Sequence, residues 1–146
     1  MSFGCGLYTL EFLGQSSAVL FLLTAVGCAL GGVARYLCMI GVSRWMGDAF
    51  PWGTLCVNLL GSFLLGVVLG SGIAPSGSTP SFEQLHAFAA VGFCGGLTTF
   101  STFSLQNLSL LSAQSRRKLV ANIFGSVVLC LLAAAAGYAL MGRWAA

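Results

Sequence analysis

Charge is what this chain has least of: three acidic and six basic side chains in 146 residues, beside a single histidine. Soluble domains draw about a quarter of their residues from Asp, Glu, Lys and Arg. Here the share is 6%, against 58% hydrophobic. So few charges cannot give a globule of this size a hydrated surface. A bilayer tolerates the composition, provided the backbone polar groups pair within helices. A soluble domain is excluded.

The other absences narrow the chemistry. Glu11, Asp48 and Glu83 all fall outside the regions expected to span a membrane, and His86 sits at the entrance of one. No carboxylate is then available at membrane depth to carry a proton or neutralise a cationic substrate. That argues against a small multidrug or cation antiporter of four transmembrane helices, whose signature is an acid in the first. A Ser/His/Asp set would need His86 and Asp48, which fall in loops on opposite sides. No His/Cys/Glu cluster has metal spacing and no phosphate loop appears, so an enzyme is not expected. The six cysteines (5, 28, 38, 56, 94 and 130) form neither a CxxC pair nor a disulfide framework. Five lie in apolar stretches and read as small hydrophobes. No basic face interleaved with aromatics exists, so nucleic acid is not an expected partner.

What is present is hydrophobic length. Four stretches, 18–42, 52–73, 85–111 and 119–141, each reach the roughly 20 residues that cross a hydrocarbon core. They predict an all-α membrane protein: one four-helix domain over 18–146, after an N-terminal tail at 1–17. Loop one holds Gly47, Asp48 and Pro51; loop two, SGIAPSGSTP, is rich in Gly, Pro and Ser; loop three is the basic run Arg116-Arg117-Lys118. Trp45, Phe50, Trp52 and Trp144 fall where amphipathic rings meet the membrane interface. The leader lacks Lys and Arg, the reverse of a secretory start, so the first span is expected to stay. Loops one and three carry Arg44, Arg116, Arg117 and Lys118, while the other side has only Arg143. By the basic-residue rule alone those loops are cytoplasmic. Gly27-x3-Gly31, Gly66-x3-Gly70 and Gly92-x3-Gly96 have the small-residue spacing that lets helices approach closely. A four-helix protomer buries little of itself, and an oligomer is expected.

The third stretch carries the chemistry. It reads GFCGGLTTFSTFS from Gly92 to Ser104. Paired glycines followed by β-branched threonines disfavour a continuous helix. A break at membrane depth survives only where protein buries it or a watery cavity meets it, and its freed carbonyls suit a cation. The alternative is an unbroken helix whose hydroxyls bond back to its own carbonyls. Phe100 and Phe103 share a helix face; their positive ring edges could assist an anion, or the rings could simply pack. Asn58, the only amide of the second stretch, is interhelical glue or a pore donor. Asn122, Ser126 and Cys130 make one stripe on the fourth stretch, as packing contacts or as donors. Arg35, the lone charge within a span, either favours an anion near a vestibule or snorkels to the interface.

These residues resemble the CrcB/Fluc family of fluoride channels. The matching elements are Gly31-Gly32-Val33-Ala34-Arg35-Tyr36, then Trp52-Gly53-Thr54-Leu55 through Asn58 and Gly61, then Gly92 through Ser104. The resemblance covers all but the leader. It implies a passive, fluoride-selective channel that exports fluoride across the bacterial inner membrane, built as an antiparallel dimer of two oppositely inserted copies with two pores. It implies that Asn58, Phe100 and Phe103 line the pore. The polar track on the fourth helix maps to Asn122, Ser126 and Cys130, and Arg35 to the vestibule. It further implies a structural, untransported sodium ion at the break in the third helix, held by the backbone carbonyls of Gly95 and Thr98. Some members have Tyr and Ser where this chain has Asn122 and Cys130, and Gln106 stands where many have Glu. The basic bias of four against one sits awkwardly with dual insertion; a partner of opposite bias, an oppositely oriented paralogue, is the alternative to a homodimer.

Overall fold

With no proline before Pro51 and apolar residues almost throughout, nothing in the first third of the chain interrupts a helix. The computed structural model describes residues 4–71 and 80–143, with side chains over 17–71 and 83–143. Helix α1 runs Gly4–Met46, so the backbone of the tail expected at 1–17 is helical from Gly4 onward and joins the first span without a break. Gly47, at φ 71, ends it in the left-handed region where glycine carries no steric penalty. Pro51 precedes α2 (Trp52–Gly70), and the expected continuation to Ile73 lies outside the described residues. Helix α3 (Pro80–His86) starts on a proline, which suits the first helical position. It passes into a π-helical segment, Ala87–Cys94, and the single turn α4, Gly95–Leu97. Helix α5 is Phe100–Ser112 and α6 is Arg116–Gly142.

Loop three is shorter than the sequence suggests. Gln114, at φ 55, reverses the chain, and the amides of Ala113 and Ser115 donate to the carbonyls of Ser109 (2.9 Å) and Leu110 (3.0 Å). The basic run therefore opens α6 as its first turn. Lys118 Nζ donates to the Ala49 carbonyl at 2.9 Å, tying that turn to loop one.

Among the described residues four helical stretches are long and apolar enough to cross a membrane: Ser17–Met46, Trp52–Gly70, Glu83–Ser112 and Arg116–Gly142. They pack as two close pairs, α1 against the π-helical segment and α4, and α2 against α6. Lipid tails give no hydrophobic drive between helices, so contact must come from close backbone approach. Two of the glycine motifs meet each other here. A Cβ on Gly27 or Gly31 would strike the carbonyl of Phe88 or Phe93, and one on Gly96 would strike Cys28. In the other pair, Gly66 lies on Ala134 and Gly137 on Phe63. The exterior is apolar, with Phe21, Leu22, Phe124 and Leu131 well exposed, while Thr54, Thr99, Asn122 and Ser126 are buried. That inversion suits a lipid solvent. The five cysteines with described side chains are unpaired.

Candidate functional site

Two residues of extended backbone separate α4 from α5: Thr98 at φ −81, ψ 154 and Thr99 at φ −147, ψ 124. Two glycines and two β-branched residues in five positions weaken the helix here. Extended residues free backbone groups that must find partners when buried. The Thr98 amide donates to the Cys94 carbonyl at 3.0 Å, as does the Thr98 hydroxyl, also at 3.0 Å. The Thr98 carbonyl accepts from Arg35 Nη1 at 3.2 Å. Asn58 takes the next peptide from both ends: the Thr99 amide donates to its Oδ1 at 2.8 Å, and its Nδ2 donates to the Thr99 carbonyl at 3.1 Å. Thr99 in turn caps α5, its hydroxyl oxygen accepting from the Thr102 amide at 3.2 Å. All four backbone groups of residues 98 and 99 are satisfied.

Beside these residues lies a cavity of about 410 Å³. It gathers Asn58 from α2, Gly95 and Thr98, Phe100 and Phe103 from α5, and Ser126 and Cys130 from α6. The two rings stand 5.8 Å apart between centroids, tilted by 44°. Phe103 is half-buried, whereas Phe100 is 79% exposed in the protomer. Among the described residues no carboxylate, lysine or arginine lines this space. Its polar groups are hydroxyls, an amide, the thiols of Cys94 and Cys130, and backbone.

Two expected residues stand apart from the cavity. Asn122 is only 2% exposed and faces α5, donating from Nδ2 to Asn107 Oδ1 at 2.7 Å. It reaches the cavity indirectly, by accepting from the Ser126 hydroxyl at 3.4 Å. Arg35 is not among the lining residues and donates to the carbonyl of one of them, Thr98. A guanidinium in a span needs an acceptor, and here it finds one inside the protein.

Asn107 was missed by sequence reasoning, although an amide in an apolar span is itself a signal that a polar partner lies opposite. The position Gln106, noted for its departure from the family, has a buried Oε1 without a partner. It lines a smaller cavity of about 180 Å³ with Asp48, Ser43 and Ser109 at the loop-one end.

Neutral carbonyl oxygens are the right donor chemistry for a hard cation. Gly95 is exposed, with nothing within 4 Å of where a Cβ would sit, and the Thr98 oxygen keeps a second lone pair beyond its Arg35 bond. These residues fit a monovalent ion held by backbone oxygens. Among the described residues no group of three or more His, Cys, Asp or Glu side chains could hold a metal.

A sequence model of the family described as CrcB-like protein, Camphor Resistance (CrcB), matches residues 22–138. The chain belongs to the CrcB family. The match runs from within α1 into α6 and takes in every candidate residue from Arg35 to Cys130. CrcB relatives agree with it over most of their length. A protein of Hahella chejuensis is 49% identical over 116 residues, 80% of this chain and 89% of its own. One of Nitrobacter winogradskyi is 47% identical over 116 residues, 80% and 90% respectively. One of Geobacter sulfurreducens is 42% identical over 113 residues, 77% and 89%. Each is named fluoride-specific ion channel FluC. With four span-length helices and these CrcB relatives, the chain is a multi-pass protein of the bacterial cell membrane.

Proposed function

We propose that this CrcB-family protein is a fluoride-selective passive channel, lowering fluoride toxicity by letting the ion leave the cytoplasm across the inner membrane. The observation that carries the reading is the cavity, where Asn58, Ser126, Cys130, Phe100 and Phe103 meet and no ionisable Asp, Glu, Lys or Arg is among the described lining residues. The names borne by the relatives point the same way. Stripping water from a carboxylate-sized ion costs on the order of 20 kcal/mol in the Born limit, and a smaller halide holds its water harder. Replacement donors are at hand: the Asn58 amide hydrogen not committed to Thr99, the Cys130 thiol, the positive ring edges, and the Ser126 hydroxyl once its hydrogen turns from Asn122. Weak neutral donors in series let an ion enter and also leave. A fixed cation in the narrow part would hold it. Arg35, held on the Thr98 carbonyl and not itself a lining residue, lends positive potential without contact.

The third span is read as a helix broken at membrane depth, with Asn58 and Arg35 serving its freed peptides. A sodium ion on the carbonyls of Gly95 and Thr98 would tie together the backbone at the break and add a second positive charge beside Arg35; it is structural and not transported. The working unit is an antiparallel dimer with dual topology, since a cavity rimmed by a 79% exposed Phe100 needs a second copy or lipid to close it. An antiporter reading lacks its acid: among the described residues no Asp or Glu lines the cavity.

The test is efflux from liposomes carrying purified protein, read by a fluoride electrode with chloride as the competitor. Fluoride is expected to leave rapidly and chloride not to follow. Equal efflux of the two ions would refute the proposal.

A further inference from the structure

Ser126 faces a problem of proton direction. It lines the cavity, and its one hydroxyl hydrogen is given to Asn122 Oδ1 across 3.4 Å. A hydroxyl has one donor and two lone pairs, so in this state Ser126 offers the cavity only lone pairs, which repel an anion. To serve an anion it must turn its hydrogen away from Asn122. The long bond makes that turn easy. The next link is different: Asn122 Nδ2 to Asn107 Oδ1 is 2.7 Å, a short bond between α6 and α5. Asn122 is 2% exposed. If its amide were reversed, its N–H would point at Ser126 and the carbonyl oxygen that receives the Ser126 hydrogen would be gone. The acceptor on Asn107 holds the N–H side of Asn122 toward α5 and so fixes its carbonyl toward Ser126.

We propose that Asn107 is a positioning residue of the conduction path, setting through Asn122 the direction in which the Ser126 hydroxyl gives its proton. The proposal rests on the channel reading above. Asn107 itself is not among the residues lining the cavity. It acts as the fixed end of a chain that is tight at α5 and loose at the cavity, so the hydroxyl is released to an arriving anion and recaptured when the anion leaves.

A double-mutant cycle in the liposome assay decides it. Asn107→Leu leaves the Asn122 amide free to reverse and the Ser126 hydrogen turned into the cavity, so fluoride efflux is expected to speed up about tenfold, the scale of one buried hydrogen bond. In a Ser126→Ala background the same substitution should add nothing, because the proton it directs is gone. Slowed efflux, or the same change in both backgrounds, would mean that Asn107 merely supports the fold, and would overturn the proposal. Should Asn107→Leu fail to fold, Asn107→Ser is the second variant: still polar, too short to reach Asn122, and expected to give the same non-additive result. Wild-type fluoride efflux with unaltered rates in both Asn107 variants would overturn the positioning role alone. Absence of fluoride efflux from the wild type would overturn the channel reading, and this proposal with it.

Discussion

Asn58 holds one peptide by both ends, and that arrangement separates its structural work from any work on an ion. Thr99 is 7% exposed, so removing the amide leaves a buried N–H and a buried C=O without partners. Each orphan costs about 1–3 kcal/mol. Asn58→Leu is therefore expected to lower thermal stability in detergent and to abolish fluoride efflux together. Asn58→Asp keeps the acceptor for the Thr99 amide but puts a carboxylate into a cavity meant for an anion. Its second oxygen can no longer donate to the Thr99 carbonyl and faces it as a like dipole, so the variant should lose at least as much stability as Asn58→Leu and reduce efflux at least about tenfold, a 1.4 kcal/mol barrier penalty. Unchanged unfolding of Asn58→Leu would refute the double bond to Thr99. The rings test the opposite division of labour. Phe100 is 79% exposed and packs little in the protomer, so Phe100→Ile should keep the protomer's stability within about 0.5 kcal/mol while slowing fluoride efflux; unslowed efflux would count against the ring edge as a donor.

Helices in this protein are held by absence of side chains as much as by presence. At Gly31 an added Cβ would strike the Phe93 carbonyl and lie 2.8 Å from the Leu97 nitrogen, both backbone and neither free to move aside. One residue on, at Gly32, nothing lies within 4 Å. Gly31→Ala is expected to cost about 1–3 kcal/mol or more by forcing α1 from the π-helical segment. Gly32→Ala should be neutral or slightly stabilising, since alanine is the better helix former. Comparative thermal unfolding of the two purified variants checks this, and equal effects would mean the two helices do not meet on this face. The glycine spacing was legible in the sequence as a packing signal. Which motif faces which was not, because i, i+4 periodicity gives each helix a sticky face and says nothing of its partner. The basic run shows the same limit. Its residues mark a helix end, but only the left-handed Gln114 reveals that the turn is closed before Arg116 and that the run belongs to α6.

For the molecule as a whole, charge and symmetry pull in different directions. The Lys118 bond to Ala49 puts loop one and the start of α6 at the same end, so Arg44, Arg116, Arg117 and Lys118 share one side. A single-orientation protein would send that side to the cytoplasm. The dual-topology dimer instead predicts that a cysteine introduced by Ser115→Cys is labelled from outside sealed vesicles in about half of the chains, the basic bias being overridden. All-or-none labelling would exclude a homodimer of opposed copies. Sodium offers a second whole-molecule test. Binding to the native state alone raises stability with ligand concentration, so unfolding in sodium should occur at a higher temperature than in a bulky organic cation. Identical transitions would count against ligation by Gly95 and Thr98.

Composition and run length were sufficient for the membrane and the four long helices, because hydropathy and charge are summed locally along a chain. The family followed from three short elements, Gly31 to Tyr36, Trp52 to Gly61 and Gly92 to Ser104. Tertiary structure alone decided where each polar group spends its hydrogen bonds: Arg35 on the Thr98 carbonyl, Asn58 across the Thr99 peptide, and Asn122 turned toward Asn107, leaving Ser126 and Cys130 at the cavity. Those pairings join residues 15 to 63 positions apart. A buried amide or guanidinium in lipid must find a partner, but nothing in the local sequence says which of several acceptors will be within reach.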